Sequence, residues 1–490
     1  MDGAPVGGSD RARRAAYELL RAVAERGAYA NLTLPGLLRE RGLTGRDAAF
    51  ATELGYGTLR ATGTLDAVLA RCSDRPLSTV DPEVLDLLRL GAYQLLRTRV
   101  PAHAAVAETA GLARVVAGPR RVGFVNAVLR RVAERDEDGW LAEIAPAYDT
   151  DPIGHLALRH AHPAWVVGAF ADALGGDLEE TARALAADDS RPEVHLAARP
   201  GRIPRDELVA VSGGEPGPWS PYAVRLPAGG DPGALAAVRD GRAGVQDEGS
   251  QLCAIALAAA PLAGPVAAAG MRPPTAGVDA GREEALAGAG TVVELPGRGT
   301  DARWLDLCAG PGGKAALLGA LAPDHGARLL AVERRAARAR LVARTTAGLA
   351  VTVVEADGTV PAWREGAFDR VLVDAPCTGL GALRRRPEAR WRRLPTDVPT
   401  LTRLQRDLLA AALTAVRPGG AVAYVVCSPH LAETRAVVAE AVRRHGAEQR
   451  DARPLFPGLP DLGDGPHVQL WPHRHGTDAM FFALLRRPPA

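Results

Sequence analysis

The run Trp304-Leu305-Asp306-Leu307-Cys308-Ala309-Gly310-Pro311-Gly312-Gly313-Lys314 decides the fold. Residues with strand character lead into a glycine-rich turn, and 315–321 then reads as a helix. Glycines in such a turn let backbone approach a ligand closely, and the helix that follows offers unpaired N–H groups at its start. Downstream, short apolar runs keep alternating with helices. Residues 329–333 are followed by a long arginine-rich helix; then come 351–357, 370–374, a helical stretch from about 401 to 416, and 421–427. Strands alternating with helices predict a parallel, doubly wound sheet whose ligands bind beyond the carboxyl ends of the strands. An α/β domain is expected over 241–490.

Three features sharpen the ligand. Glu333 ends the second strand about 20 residues after the glycine loop, where an acidic residue can hold ribose hydroxyls. Asp357 ends the third strand, within reach of an adenine edge. No Ser or Thr follows Lys314 to hold magnesium, so the loop is not a P-loop. A nucleoside without a triphosphate fits better than ATP, and a nicotinamide dinucleotide stays open. Lys314 is the only lysine in the chain.

Two cysteines and a carboxylate lie where later strands end. Asp374-Ala375-Pro376-Cys377-Thr378-Gly379 leaves the fourth strand and Val426-Cys427-Ser428-Pro429-His430 the next. A buried, small apolar role suits Cys72 and Cys253. Cys377 and Cys427 are different, because both fall at strand ends facing one crevice. A thiolate adding to carbon 6 of cytosine makes carbon 5 enamine-like, able to attack an electrophilic methyl. That chemistry needs an acid near N3, for which Asp374 is a candidate, and a second thiol could assist elimination. The attacked base has to be single-stranded or flipped. Just after Cys377, residues 384–393 hold six arginines and Trp391. Interleaved charge and aromatic surface predicts phosphate contact with base stacking; Arg130-Arg131 is a further basic pair.

The remaining chain is organised differently. Residues 9–138 read as all helical, with apolar spacing in Ala16-Leu19-Leu20-Val23 and Val84-Leu85-Leu87-Leu88, and with Asp81-Pro82 as an N-cap and first-turn pair. The acidic run Glu134–Gly139 reads as a solvated boundary. Residues 145–240 read as a small α+β module with strands near 193–199 and 223–226. Residues 261–301 are rich in Ala, Gly and Pro and are expected to be a flexible insertion. Across 490 residues the net charge is only +2, so nucleic-acid binding has to come from local patches. Five cysteines in no metal or disulfide pattern predict reduced thiols in the cytoplasm. No apolar run reaches the ~20 residues needed to span a bilayer.

Taken together, Cys308-Ala309-Gly310-Pro311-Gly312-Gly313-Lys314, Asp374-Ala375-Pro376-Cys377-Thr378-Gly379-Leu380-Gly381 and Cys427-Ser428 resemble the Nop/Sun family of RNA cytosine-5 methyltransferases. So do Arg385-Arg386-Pro387-Glu388, Leu404-Gln405, Val245-Gln246-Asp247-Glu248-Gly249-Ser250 and the closing Trp471-Pro472 and Asp478-Ala479-Met480-Phe481-Phe482. Residues 11–132 resemble a NusB-like RNA-binding domain, a fusion found in Fmu/Sun-type enzymes that modify 16S rRNA. The resemblance implies a Rossmann-like C-terminal domain that transfers methyl from S-adenosylmethionine to carbon 5 of a cytosine. It implies that Cys308, Ala309, Gly310, Pro311, Gly312, Gly313 and Lys314 bind the methionine part of the cofactor, Glu333 the ribose and Asp357 the adenine side, with Asp374 near both cofactor and base. It implies Cys427 as nucleophile and Cys377 in product release. No metal, membrane or DNA is expected, and the chain is expected to act as a monomer on RNA. The same chemistry on tRNA or another rRNA site, and a non-catalytic RNA-binding scaffold, are the alternatives. Gly310 replaces a common Ala, Glu333 a common Asp, and Val426 a Thr that usually precedes the cysteine.

Overall fold

The computed structural model describes residues 8–227, 231–263 and 301–488. The expected insertion 261–301 lies outside the described residues apart from its ends. The chain divides into two units, 1–192 with 382–395, and 193–381 with 396–490.

The first unit is helical. Helices Gly8–Arg26, Gly45–Cys72, Pro82–Arg97, Ala102–Val116 and Pro119–Val132 surround one core. The stripe Ala16, Leu19, Leu20 and Val23 is buried against Leu54, Leu65, Leu87, Leu88 and Leu129. Gly57 makes room for the Tyr93 side chain, since a Cβ there would lie 2.0 Å from its hydroxyl. Asp81 stands at the start of Pro82–Arg97 but makes no capping bond; its carboxylate pairs with Arg121 instead.

The acidic run expected as a solvated boundary near 134–139 is ordered, and the helical unit continues past it to 192. Asp136 accepts from the Gly139 amide at 2.8 Å and so caps helix Glu137–Ile144. Glu137 receives both Nε and a terminal nitrogen of Arg97. The acidic run is thus a helix start, which a count of charges reads as solvent. Helices Pro152–Arg159, Ala164–Ala173 and Leu178–Asp189 follow within the same unit. Only the part of the expected module from 193 onward is sheet.

The arginine-rich segment also differs from expectation. Residues 382–395 belong to the helical unit. Arg390 is fully buried: it donates to Asp189 Oδ1 at 2.8 Å, to the Arg60 carbonyl at 3.0 Å and to the Asp188 carbonyl at 2.8 Å. Arg392 donates to the carbonyls of Val23, Gly27 and Ala28. A Cβ on Gly63 would come 2.4 Å from the Trp391 ring, so this glycine makes room for the indole. Arg390 and Arg392 thus direct donors at helix ends and backbone of their own unit, where phosphate contact was expected of them. Of the other expected basic pair, Arg131 reaches Asp74 and the Cys72 carbonyl.

The second unit opens with strands β1 (Val194–Ala198), β2 (Glu215–Pro216), β3 (Ala223–Leu226) and β4 (Ala243–Val245), an antiparallel sheet in the order β2-β3-β1-β4. The larger sheet comprises β5 (Arg303–Asp306), β6 (Arg328–Glu333), β7 (Val351–Glu355), β8 (Phe368–Asp374), β9 (Val416–Val426), β10 (Glu448–Arg450), β11 (Val468–Gln469) and β12 (Phe481–Arg486). Its order is β10-β12-β9-β8-β5-β6-β7, with β11 beside β12. Strands β5 to β9 pair in parallel, as expected; β12 runs antiparallel to β9, and β10 and β11 antiparallel to β12, so the sheet is mixed. Both faces are covered. Trp304, Leu329 and Leu372 pack on one side with helices Glu248–Ala259 and Gly313–Leu321, while Leu305, Leu330 and Val371 pack on the other with Asp397–Ala415 and Arg435–His445. Strand order reverses at β5, and the carboxyl ends flanking it form the crevice where such sheets bind ligands.

Candidate active site

The loop after β5 turns on Gly312, whose φ of +109° suits glycine, and helix Gly313–Leu321 starts immediately after it. Lys314, in the first turn, is buried and donates to Asp374 Oδ2 at 2.9 Å, at the end of β8. Burial works against its ammonium, but the charges of Asp374, Cys253 and Cys427 and the Asp374 hydrogen bond outweigh it and raise the lysine pKa. The sole lysine is thus a fixed cation between the glycine loop and the strand ends.

Glu333 ends β6 and folds back over the loop. Its Oε1 accepts from the Arg335 amide at 3.0 Å and its Oε2 lies 3.4 Å from Arg338 Nε, whose guanidinium also reaches the Gly310 carbonyl. A Cβ on Gly310 would sit 2.2 Å from Glu333 Oε2. The longer acid at 333 and the missing side chain at 310 are therefore one accommodation: the extra methylene carries the carboxylate into space that alanine would fill. Asp357, beyond β7, accepts both the amide and hydroxyl of Thr359, which hold its carboxyl below the usual range.

Sequence reasoning missed Asp306. It ends β5, is 1% exposed, and accepts from the Cys308 amide at 3.2 Å, while its Oδ2 is buried with no hydrogen-bond partner. The available signal was an acid inside an otherwise apolar strand. Burial, then the charge of Asp374, push its pKa up from 3.8 to about 7. An acid whose folded pKa is raised costs nothing while protonated in both states and destabilises once charged. Thermal stability should therefore fall as pH rises between about 4 and 7. Melting curves of Asp306→Asn should lack that slope; an unchanged slope in the variant would assign it to another group.

The two cysteines expected to act do meet. Cys377 and Cys427 Sγ lie 3.5 Å apart; Cys377 is buried and Cys427 partly exposed. The hydrogen bond with Cys427 and burial push the Cys377 thiol well above its ordinary value, and Cys427 and Glu433 add to the shift. Cys308 is likewise pushed well above its ordinary value, by burial and by Asp306, Asp374 and Glu333. Other quoted motifs serve the architecture. Asp247 caps helix Glu248–Ala259 and accepts from the Asp478 amide, and Gln246 lies over Gly313. Among the described residues, no helix is long and apolar enough to cross a membrane.

Known proteins bear on this arrangement. A family model described as 16S rRNA methyltransferase RsmB/F matches residues 295–486, and the NusB family matches 10–134. Rv1407 of Mycobacterium tuberculosis, a protein that carries a methyltransferase name, is 57% identical over 98% of this chain and 97% of its own length. Ribosomal RNA small subunit methyltransferase B of Salmonella typhi is 31% identical, covering 96% of this chain and 98% of its own. Among solved structures, PH0851 superposes with a TM-score of 0.75 at 19% identity over 99% of both chains, a likeness of fold. NSun6 from Pyrococcus horikoshii, solved with SFG, reaches 0.50 at 16% identity, covering 67% of this chain and 99% of its own. With whole-length relatives on either side of a catalytic-domain match, the chain belongs to the RsmB/F family of 16S rRNA methyltransferases.

Proposed function

We propose that this protein transfers a methyl group from S-adenosylmethionine to carbon 5 of a cytosine in 16S rRNA, through a covalent bond between Cys427 and carbon 6. The observation that carries this reading is the thiol pair: two sulfurs 3.5 Å apart beyond adjacent parallel strands, next to the Lys314–Asp374 ion pair. A plain cofactor-binding fold needs neither thiol.

The residues present fit the cofactor. Asp306 Oδ2, buried and unpartnered, is matched by a cationic ammonium. Glu333 would accept from a ribose diol and Asp357 would hold the adenine side. The sulfonium supplies an electrophilic methyl.

The chain's own groups divide the remaining work. Cys427 is the more exposed thiol and lies within electrostatic reach of the Lys314 ammonium; its thiolate is the attacking form. Cys377 donates its S–H to that thiolate. The Cys427 sulfur bonds to carbon 6, electrons move into the ring, and Asp374 is assigned to the N3 edge. Carbon 5 takes the methyl group and later loses its proton to a base. The carbon 6–sulfur bond then breaks, and Cys377 is placed to return a proton to the leaving sulfur. A test is transfer of labelled methyl to 16S rRNA by the purified protein, followed by digestion to nucleosides. Label should appear as 5-methylcytidine; label at another nucleoside, or on tRNA alone, would overturn this assignment.

A further inference from the structure

We propose that Glu433 is the positioning residue that sets the separation of the two thiols; the role rests on the reading that both thiols work on one base. Glu433 lies beyond β9, six residues after Cys427, and is 0% exposed. Its carboxylate accepts from four neutral donors. Oε1 takes the Thr378 amide at 2.8 Å and Gln405 Nε2 at 3.1 Å; Oε2 takes the Ser428 hydroxyl at 2.7 Å and the Thr378 hydroxyl. Thr378 directly follows Cys377 and Ser428 directly follows Cys427, and their hydroxyl oxygens are 3.1 Å apart. One side chain thus holds the residue after each thiol.

The surroundings fix Glu433 in turn. The Tyr424 hydroxyl, from within β9, donates to the Glu433 carbonyl at 2.6 Å. Gln405, on helix Asp397–Ala415, bridges Glu433 to the Pro376 carbonyl at 2.9 Å. Gly381 donates to the Cys427 carbonyl at 2.9 Å, a second tie between the same two loops. A buried carboxylate with no arginine or lysine among these hydrogen-bond partners is costly for folding alone, where an apolar plug would serve. Its return is geometric: one carboxylate ties the residue after each thiol, where the loops after β8 and β9 otherwise share the Gly381–Cys427 backbone bond and the Thr378–Ser428 hydroxyl contact.

The test compares Glu433→Ala, Glu433→Asp and Glu433→Gln in the full chain. Glutamine can keep all four contacts if the Thr378 and Ser428 hydroxyls rotate to accept. Single-turnover methyl transfer should fall by about 100-fold in the alanine variant, the scale of a misplacement near 1 Å, and by about 10-fold in the aspartate variant, with glutamine rescuing most of the loss. Cofactor affinity should not change. A second readout needs no RNA: phenylarsine oxide bridges two sulfurs at about the present separation, and capture should require both Cys377 and Cys427. Wild type and the glutamine variant should capture it, and the alanine variant should not. If the alanine variant folds, captures the arsenical and turns over as wild type, the proposal is overturned; if it does not fold, an aspartate variant with wild-type capture and rate overturns it. Capture by wild type without any cytosine adduct would sink the covalent mechanism instead, leaving the arsenical comparison to judge Glu433.

Discussion

Cys427→Ala should lower methyl transfer by at least about 10⁴-fold, the scale of losing a nucleophile, and should leave no protein–RNA adduct. Cys377→Ala should be slow for the opposite reason. It can form the carbon 6 bond but cannot resolve it, so a covalent complex should accumulate on a denaturing gel. The asymmetry follows from surroundings. Cys377 is buried, bonded to its neighbour sulfur and exposed to the charge of Glu433, all of which hold its proton. Cys427 is more open and near the Lys314 ammonium. Both sulfurs lie 3.5 Å apart, so geometry alone would allow either to attack. Trapping of RNA by Cys427→Ala and not by Cys377→Ala would reverse the assignment.

The second large effect is on stability. Arg390→Met keeps the side chain's bulk but leaves Asp189 and the carbonyls of Arg60 and Asp188 without their donor. Breaking a buried pair costs about 3–5 kcal/mol, and Asp189, itself partly exposed, puts the loss near the lower end. For a unit of this size that is a fall in melting temperature of roughly 6–12 °C. The salt dependence of RNA binding should not change, because this arginine is fully buried and out of reach of phosphate. A variant with an unshifted melting temperature and a shallower salt slope would return Arg390 to the RNA surface.

Where the reading of the sequence succeeded, the signal was local. The strand–glycine loop–helix run needs only its own residues to declare itself, and strand ends follow from it. The antiparallel β12 was not legible, because Phe481-Phe482-Ala483-Leu484-Leu485 is apolar whichever way it runs. The arginine run misled for the opposite reason. Six cations in ten residues read as phosphate contacts until a partner such as Asp189, about 200 positions away, is found to hold one of them, Arg390. Asp136 was misread because a cap and a charge run are the same letters. Glu433 carried no signal of its own, because its four donors come from three separate stretches of chain.

The segment 382–395 has a practical consequence for anyone cutting this protein apart. A protease nick near 192, or a gene truncated there, would yield a helical fragment that still lacks the buried Arg390 and, beside it, Trp391 and Arg392. Such a fragment would carry an uncompensated Asp189 and a slot beside Gly63 where the indole belongs. After a nick, the two pieces should co-elute on a sizing column until denatured. The helical part is less a bead that was threaded onto an enzyme than a socket completed by a plug from the enzyme's own later chain. Exchange of this domain between relatives should succeed only when 382–395 travels with it.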